Sequence, residues 1–329
     1  MKYNTLFEQF KNKKILVIGD VMLDSYVLGK VNRISPEAPV PIISLKKKEN
    51  RLGGAGNVAL NLKYLGAQPI IASVIGKDIE GQTLIDLFDK RGISTVGIVL
   101  SSKRKTTVKT RVISSKQQLL RIDSEDTHPL NYTHEMELLS KIESILKEPI
   151  DAIILEDYDK GVLGTKSIQK IISMAQNMGI PITADPKKNH FQDFHGLTLF
   201  KPNLKELKEG LNTEFSFLTE PKKFEQAVAN LRKNVPHQIS LITLSEHGIY
   251  ICDDSKSVHF GAHKREITDV SGAGDTVIAV ATLCLISGGS ISEIAQISNI
   301  AGGMVCEKPG VVSVHIDELK IEVDKLLVS

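Results

Sequence analysis

The segment Asp269-Val-Ser-Gly272-Ala273-Gly274-Asp275 runs straight into the apolar stretch TVIAVATLCLI. Small residues that give way abruptly to a long apolar helix pattern set a helix N-terminus at Gly272 to Asp275. Backbone N–H groups there lack intrahelical partners and, with the helix dipole, favour an anion. Glycines let that anion approach the backbone closely. Asp275 then has two readings. It caps the helix, or it is a general base beside an anion hole, taking a proton from a hydroxyl that attacks phosphorus.

Three further places join chemistry-bearing residues. Leu52-Gly53-Gly54-Ala55-Gly56-Asn57-Val58-Ala59 leads into an amphipathic helix pattern ending at Gly66. Gly54, Gly56 and Ala59 fit the loose dinucleotide fingerprint, but KKKENRL precedes them where that fingerprint needs a buried strand. Close backbone approach to a polar ligand remains, with Asn57 as donor and acceptor. Asp20 and Asp24 follow the first strand pattern, where open α/β sheets bind ligands. They suit sugar hydroxyls, a metal, or local turn contacts. In Lys201-Pro202-Asn203-Leu204-Lys205-Glu206, Asn203 and Glu206 are spaced as a capping box, or as an acid holding Mg²⁺ through water near nucleotide phosphates. No GxxxxGK[ST] sequence occurs, which excludes a P-loop kinase or ATPase.

The elements that must position these residues read as an alternation. Lys14 to Asp20, Ile70 to Ile75, Ala152 to Glu156, Ile182 to Asp185, Leu199 to Lys201 and Ile239 to Thr243 look like buried strands. Helix patterns such as Thr133 to Lys147, Thr165 to Met178 and Pro221 to Asn234 lie between them, and a last one spans Asp317 to Leu327. The rhythm predicts an α/β fold with a mostly parallel central sheet, helices on both faces. Segments 25–45 and 106–123 alternate without helices between them, and predict a small antiparallel β-sheet acting as a lid or a plain surface hairpin.

Composition narrows the class. With 41 basic and 39 acidic residues among 329, the net charge of +2 gives no basic footprint for nucleic acid. The three cysteines are odd in number and widely spaced, which suits a reducing compartment and neither disulfides nor zinc. The start lacks a signal-peptide core, and no apolar run is long enough for a bilayer span. The expectation is a cytoplasmic protein with no membrane partner.

In this order the motifs resemble the ribokinase-like (phosphofructokinase-B type) carbohydrate kinases, from about Lys14 to Val314. The two glycine-rich signatures carry the likeness, with NxxE between them. The second usually has threonine where Val270 or Ser271 stands. Within the family the chain is similar to the heptose-phosphate kinases. Gly19-Asp20-Val-Met-Leu-Asp24, Arg33-Ile-Ser35-Pro36-Glu37-Ala38-Pro39-Val40-Pro41 and Gln117-Gln118-Leu-Leu-Arg121-Ile-Asp123 carry that likeness. Asp157-Tyr-Asp-Lys160-Gly161 and Asp185-Pro186-Lys187 agree as well. Such kinases phosphorylate C1 of D-glycero-D-manno-heptose 7-phosphate for surface-glycan precursors, and many carry a nucleotidyl-transferring domain with an HxGH signature. This chain has no HxGH and reads as the kinase half alone, one ribokinase-like domain over 1–329 with its lid.

The resemblance implies a three-layer sandwich and roles for individual residues. Asp275 is the base, with the γ-phosphoryl group against the amides of Gly272, Ala273 and Gly274. Asp20, Asp24, Gly54 and Asn57 hold sugar hydroxyls. Asn203 and Glu206 face the phosphates of ATP and its Mg²⁺. Thr243, Ser245 and Gly248 line the nucleotide, Ser245 standing where many relatives have glycine, and Asn299 lies beside the adenine. A monovalent cation, K⁺, is implied near Asp269 and the Cys306 to Gly310 loop. Lys109, Arg111 and Arg121 on the lid are candidates for the substrate's distal phosphate or ordinary solvated charges. Lys160 and Lys187 are rival phosphate ligands, Lys187 on the nucleotide side. The accessory sheet is expected to pair two copies into a homodimer.

Overall fold

The computed structural model describes residues 3–115 and 117–328. Thirteen strands occur among them: β1 Lys14–Gly19, β2 Val21–Ile34, β3 Pro41–Gly54, β4 Gln68–Gly76, β5 Ser94–Ser101, β6 Val108–Ser114, β7 Gln117–Ser124, β8 Ala152–Glu156, β9 Ile182–Asp185, β10 Leu197–Phe200, β11 His237–Thr243, β12 Ile249–Cys252 and β13 Ser257–Phe260. The α-helices are α1 Asn4–Glu8, α2 Ala55–Tyr64, α3 Ile79–Lys90, α4 Tyr132–Ile145, α5 Thr165–Asn177, α6 Leu204–Gly210, α7 Pro221–Asn234, α8 Ala273–Ile286, α9 Ile291–Cys306 and α10 Ile316–Leu327.

Nine strands form the main sheet in the order β13-β12-β11-β10-β9-β8-β1-β4-β5. From β11 to β5 every neighbour pair is parallel, and only β12 and β13 are added antiparallel at one edge. Strands buried on both faces need apolar residues throughout, and β8 (AIILE) is buried at every position. One apolar cluster packs α2, α8 and α9 on one face, and another packs α4, α5 and α7 on the other. Helix α8 lies between the sheet and α9, so residues 275–284 are buried around the whole circumference.

The chain leaves β1 in one direction for β4 and β5, and in the other for β8 to β11. The reversal opens a crevice beyond the carboxyl ends of β1 and β8, where such sheets bind ligands. The small sheet, in the order β3-β2-β6-β7, grows out of that crevice. Its strands run further than the sequence implied: β2 begins at Val21 and β3 continues through KKKENRL to Gly54. Nor is it wholly antiparallel, since β2 and β6 pair in parallel. Lys46 to Lys48 fall within β3 and remain exposed.

Candidate active site

Asp20, directly after β1, is buried, and its carboxylate accepts three backbone N–H bonds from the loop after β8. Tyr158 N and Lys160 N donate to Oδ2 at 2.8 and 3.1 Å, and Val162 N to Oδ1 at 3.1 Å. Asp20 therefore ties this loop to the sheet, one of its local readings, rather than standing open to a sugar. Asp24 is also buried, and forms an ion pair with Arg111 of β6. The glycines explain how the chains approach so closely. A Cβ on Gly54, whose φ is +57°, would collide with the Asp20 carbonyl, and one on Gly53 with the Asp24 carboxylate. This close approach is made by the chain's own aspartates.

Asp275 occupies the first turn of α8, behind Gly272 in the left-handed region at φ 81°. It does not cap its own helix. Tyr158 Oη donates to Oδ1 at 2.6 Å, and Asn57 Nδ2 donates to Oδ2 at 2.8 Å. Burial raises the Asp275 pKa, and these two hydrogen bonds pull against it. Asn57 is held in turn: Asn61 Nδ2 donates to its carbonyl at 2.9 Å, and Asn61 Oδ1 accepts from Val314 N at 3.0 Å and Thr276 Oγ1 at 3.2 Å. Of the expected anion-binding amides, Ala273 N reaches the Val270 carbonyl at 3.3 Å. The first-turn N–H groups of Gly274 and Asp275 have no acceptor within the helix.

A cluster of opposite charges flanks this turn. Lys201, buried after β10, pairs with Asp185 at 2.7 Å, and both lie against Gly274. Lys187 pairs with Glu206 and approaches Asp185 at 4.0 Å. Burial opposes the Lys187 charge, but Asp185 and Glu206 outweigh it and raise its pKa. Asn203 and Glu206 form the capping box: Glu206 N donates to Asn203 Oδ1 at 2.8 Å, and Asn203 N to Glu206 Oε2 at 2.9 Å. Glu206 nevertheless reaches the cluster through Lys187. Thr243 sits beside this cap, bridging to Asn203. Glu156, paired in register with Asp185, is fully buried, and neither of its carboxylate oxygens has a hydrogen-bond partner.

The basic residues of the small sheet separate. Arg111 pairs with Asp24 through Nη1 and lies over the Tyr26 ring, so it is not an ordinary solvated charge. Arg121 binds its strand neighbour Asp123 through Nε at 2.9 Å and Nη2 at 3.0 Å. Lys160 pairs with Glu125 at 2.8 Å. Lys109 sits over the Tyr158 ring, 5.5 Å from its centroid. Burial and nearby Lys160 lower the Lys109 pKa, against the pull of Asp24, Glu125 and Asp123.

The expected nucleotide loop contains two left-handed residues. Ser245 has φ 52°, which accounts for a glycine preference there, and Gly248 has φ 86°. A Cβ on Gly248 would strike the Phe260 carbonyl. Asn299 of α9 donates to the Gly261 carbonyl at 2.9 Å. Asp269 accepts from Ser271 N at 2.9 Å and Gly310 N at 3.0 Å. Partial burial works to raise its pKa, and these bonds hold it below the usual range. Arg51 Nη1 donates to the Val311 carbonyl at 2.9 Å and reaches that of Pro309 at 3.4 Å. These contacts order the loop beside which K⁺ is expected.

The sequence reading missed Tyr158, Asp185, Lys201 and Glu156, although DYDKG, DPK and KPN all stand at carboxyl ends of parallel strands. A groove of about 750 Å³ lies at the opposite ends of β1, β4 and β5, lined by Lys14, Lys63, Lys141 and Glu148. It contains nothing resembling the Asp275 arrangement.

The pfkB family of carbohydrate kinases matches residues 12–318. The chain is 41% identical over 312 residues to the Bifunctional protein HldE of Methylobacillus flagellatus, covering 94% of this chain and 62% of that protein. It is 39% identical over 309 residues to the Bifunctional protein HldE of Helicobacter pylori, covering 94% and 66%. It thus spans less than two thirds of the length of these curated relatives. In fold it is similar to phosphofructokinase-2 from Escherichia coli in complex with potassium, with a TM-score of 0.78, 21% identity, and 96% and 99% of the two chains covered. Arabidopsis thaliana ribokinase complexed with ribose and ATP matches with a TM-score of 0.71 and 16% identity, over 95% and 99% of the chains.

Proposed function

The chain belongs to the pfkB family of carbohydrate kinases, and on that premise we propose that it transfers the γ-phosphoryl group of ATP to the anomeric C1 hydroxyl of D-glycero-D-manno-heptose 7-phosphate, giving a 1,7-bisphosphate for surface-glycan precursors. The observation that carries the reading is the buried Asp275 carboxylate, held by Tyr158 and Asn57 at the open end of α8. Similarity to the Bifunctional protein HldE over nearly the whole chain supports the heptose substrate.

In this reading Asp275 takes the proton of the attacking hydroxyl. The transferring phosphoryl charge faces the first-turn amides of α8, backed by Lys187 and Lys201. Phosphoryl transfer depends chiefly on such positioning and electrostatics. Among the described residues no three His, Cys, Asp or Glu side chains converge on a metal position. Asp185 Oδ1 is a buried acceptor without a hydrogen-bond partner beside Glu206, so the pair fits a cation that arrives with the nucleotide. Asp185 and Glu206 would hold Mg²⁺, which when bound offsets phosphate charge. No step is routed through K⁺.

For the substrate, Asn57 and the Asp24 side of the crevice face the sugar, and Lys109 with Lys160 is the best-placed cationic pair for a distal phosphate. The small sheet is the lid of a homodimer. Its edge strands β3 and β7 carry exposed Leu45, Leu120 and Ile122, and exposed apolar residues on edge strands favour pairing with a second copy. No helix among the described residues is long and apolar enough to cross a membrane.

The test is ADP release from ATP with heptose 7-phosphate, fructose 6-phosphate, ribose and adenosine. The heptose phosphate is expected to give the highest kcat/KM. A higher value for any of the others would replace the substrate while leaving the family reading intact.

A further inference from the structure

We propose that Tyr158 is a positioning residue for Asp275: its hydroxyl fixes one oxygen of the carboxylate, while Lys109 of the small sheet and Lys187 of the segment after β9 hold its ring. The inference rests on Asp275 as the base and goes beyond it by naming what aims that base.

An acidic side chain at the third helical position can reach back to the N-cap amide. Asp275 does not, because each of its oxygens is taken by a side chain from elsewhere, Tyr158 at 2.6 Å and Asn57 at 2.8 Å. A carboxylate offers about four lone-pair directions. One donor on each oxygen fixes the plane of the group and leaves lone pairs free for a substrate hydroxyl.

Tyr158 is suited to hold that plane because it is fixed at both ends. Its backbone N–H donates to Asp20 at 2.8 Å, and Asp20 anchors the same loop twice more. Two ammonium groups lie over its ring, Lys109 Nζ 5.5 Å and Lys187 Nζ 5.1 Å from the centroid. Such cation–π contacts stabilise the ring where it stands. Lys109 comes from β6 of the small sheet and Lys187 from the segment after β9. The orientation of the base is therefore shared between the lid and the main sheet. Burial and the neighbouring carboxylates raise the Tyr158 pKa, so the phenol stays a donor.

The other groups around Asp275 are Glu156 from β8, Asp185 from β9, Lys187, Lys201 from the β10 end and neutral Asn57 from α2. None of these changes when Tyr158 loses only its oxygen. The hydrogen bond from Tyr158 favours the carboxylate over the carboxylic acid. Removing it makes Asp275 bind its proton more tightly, so the acid limb of activity must move to higher pH.

The experiment compares wild type, Tyr158→Phe and Asp275→Asn as the full chain, with ATP and heptose 7-phosphate, over a pH series. For Tyr158→Phe the expected result is a kcat about tenfold lower and a sugar KM within about twofold. The acid limb of kcat/KM is expected to rise by about one pH unit. Site-specific 3-fluorotyrosine at position 158, a stronger donor of nearly the same shape, is expected to shift that limb downward, and keeps the test open if the phenylalanine variant does not fold. An inactive Asp275→Asn together with a Tyr158→Phe of unchanged acid limb and near-normal kcat overturns the inference alone. Normal turnover by Asp275→Asn overturns the base reading and the inference with it.

Discussion

Replacing Arg111 with methionine separates a structural ion pair from a substrate ligand. The Arg111 side chain is 11% exposed and Asp24 4%, so the methionine variant leaves Asp24 buried without its partner. Breaking one side of a buried pair costs about 3–5 kcal/mol. The Tyr26 ring also loses a guanidinium 5.5 Å from its centroid, a contact worth about 0.5–2 kcal/mol and already within that range. For 329 residues, at about 2.1 cal/mol/K per residue, the unfolding entropy is roughly 0.7 kcal/mol/K. Division gives a fall in Tm of about 4–7 °C. The double variant Asp24→Asn/Arg111→Met removes both charges and should recover most of that loss. The assay is thermal unfolding of the wild type, both single variants and the double, beside sugar KM for each soluble variant. An Arg111→Met protein with unchanged Tm, and a KM raised for phosphorylated sugars alone, would show that Arg111 is a phosphate ligand and that the pair is not structural.

Two further outcomes follow from the same geometry. Ser245→Gly relieves a left-handed backbone at φ 52°, and should stabilise the chain by up to about 1 kcal/mol in urea unfolding with nucleotide affinity unchanged; destabilisation would mean the serine side chain supports the loop. Burial, with Asp20 beside it, raises Asp157 to about 7, whereas an unfolded aspartate ionises near 3.9. Between those values the native state holds a proton that the unfolded state has released, so this contribution is present below about pH 4 and is lost as pH rises towards 7. The stability of Asp157→Asn relative to wild type should therefore increase from pH 4 to pH 7, and a constant difference would contradict the assignment.

The main sheet was legible because buried parallel strands are continuous apolar runs, as in KILVIG and AIILE. The α8 terminus was legible because glycines meet an apolar helix there. The small sheet was underestimated because KKKENRL carries no strand periodicity. Its pairing to β2 comes from backbone register, with Lys48 opposite Val27 and Arg51 opposite Asp24. For Asp20 and Arg111 residue type left ligand and local readings side by side. Their partners, the amides of the loop after β8 and the Asp24 carboxylate, lie 138 and 87 positions away and have no signature in sequence. Tyr158 escaped for the same reason, since nothing in DYDKG says that its hydroxyl crosses to a helix 117 positions away.

Transfer to an anomeric hydroxyl assisted by Asp275 leaves its mark on the reducing end of the product. A sugar phosphorylated at C1 loses its reducing carbonyl equivalent, and phosphorylation elsewhere does not. Heptose 7-phosphate incubated with ATP and the full chain should lose one reducing end per ADP formed. Folded Asp275→Asn should form both signals at least 10²-fold more slowly. ADP release with the reducing end intact, or an Asp275→Asn protein that matches wild type, would contradict the account.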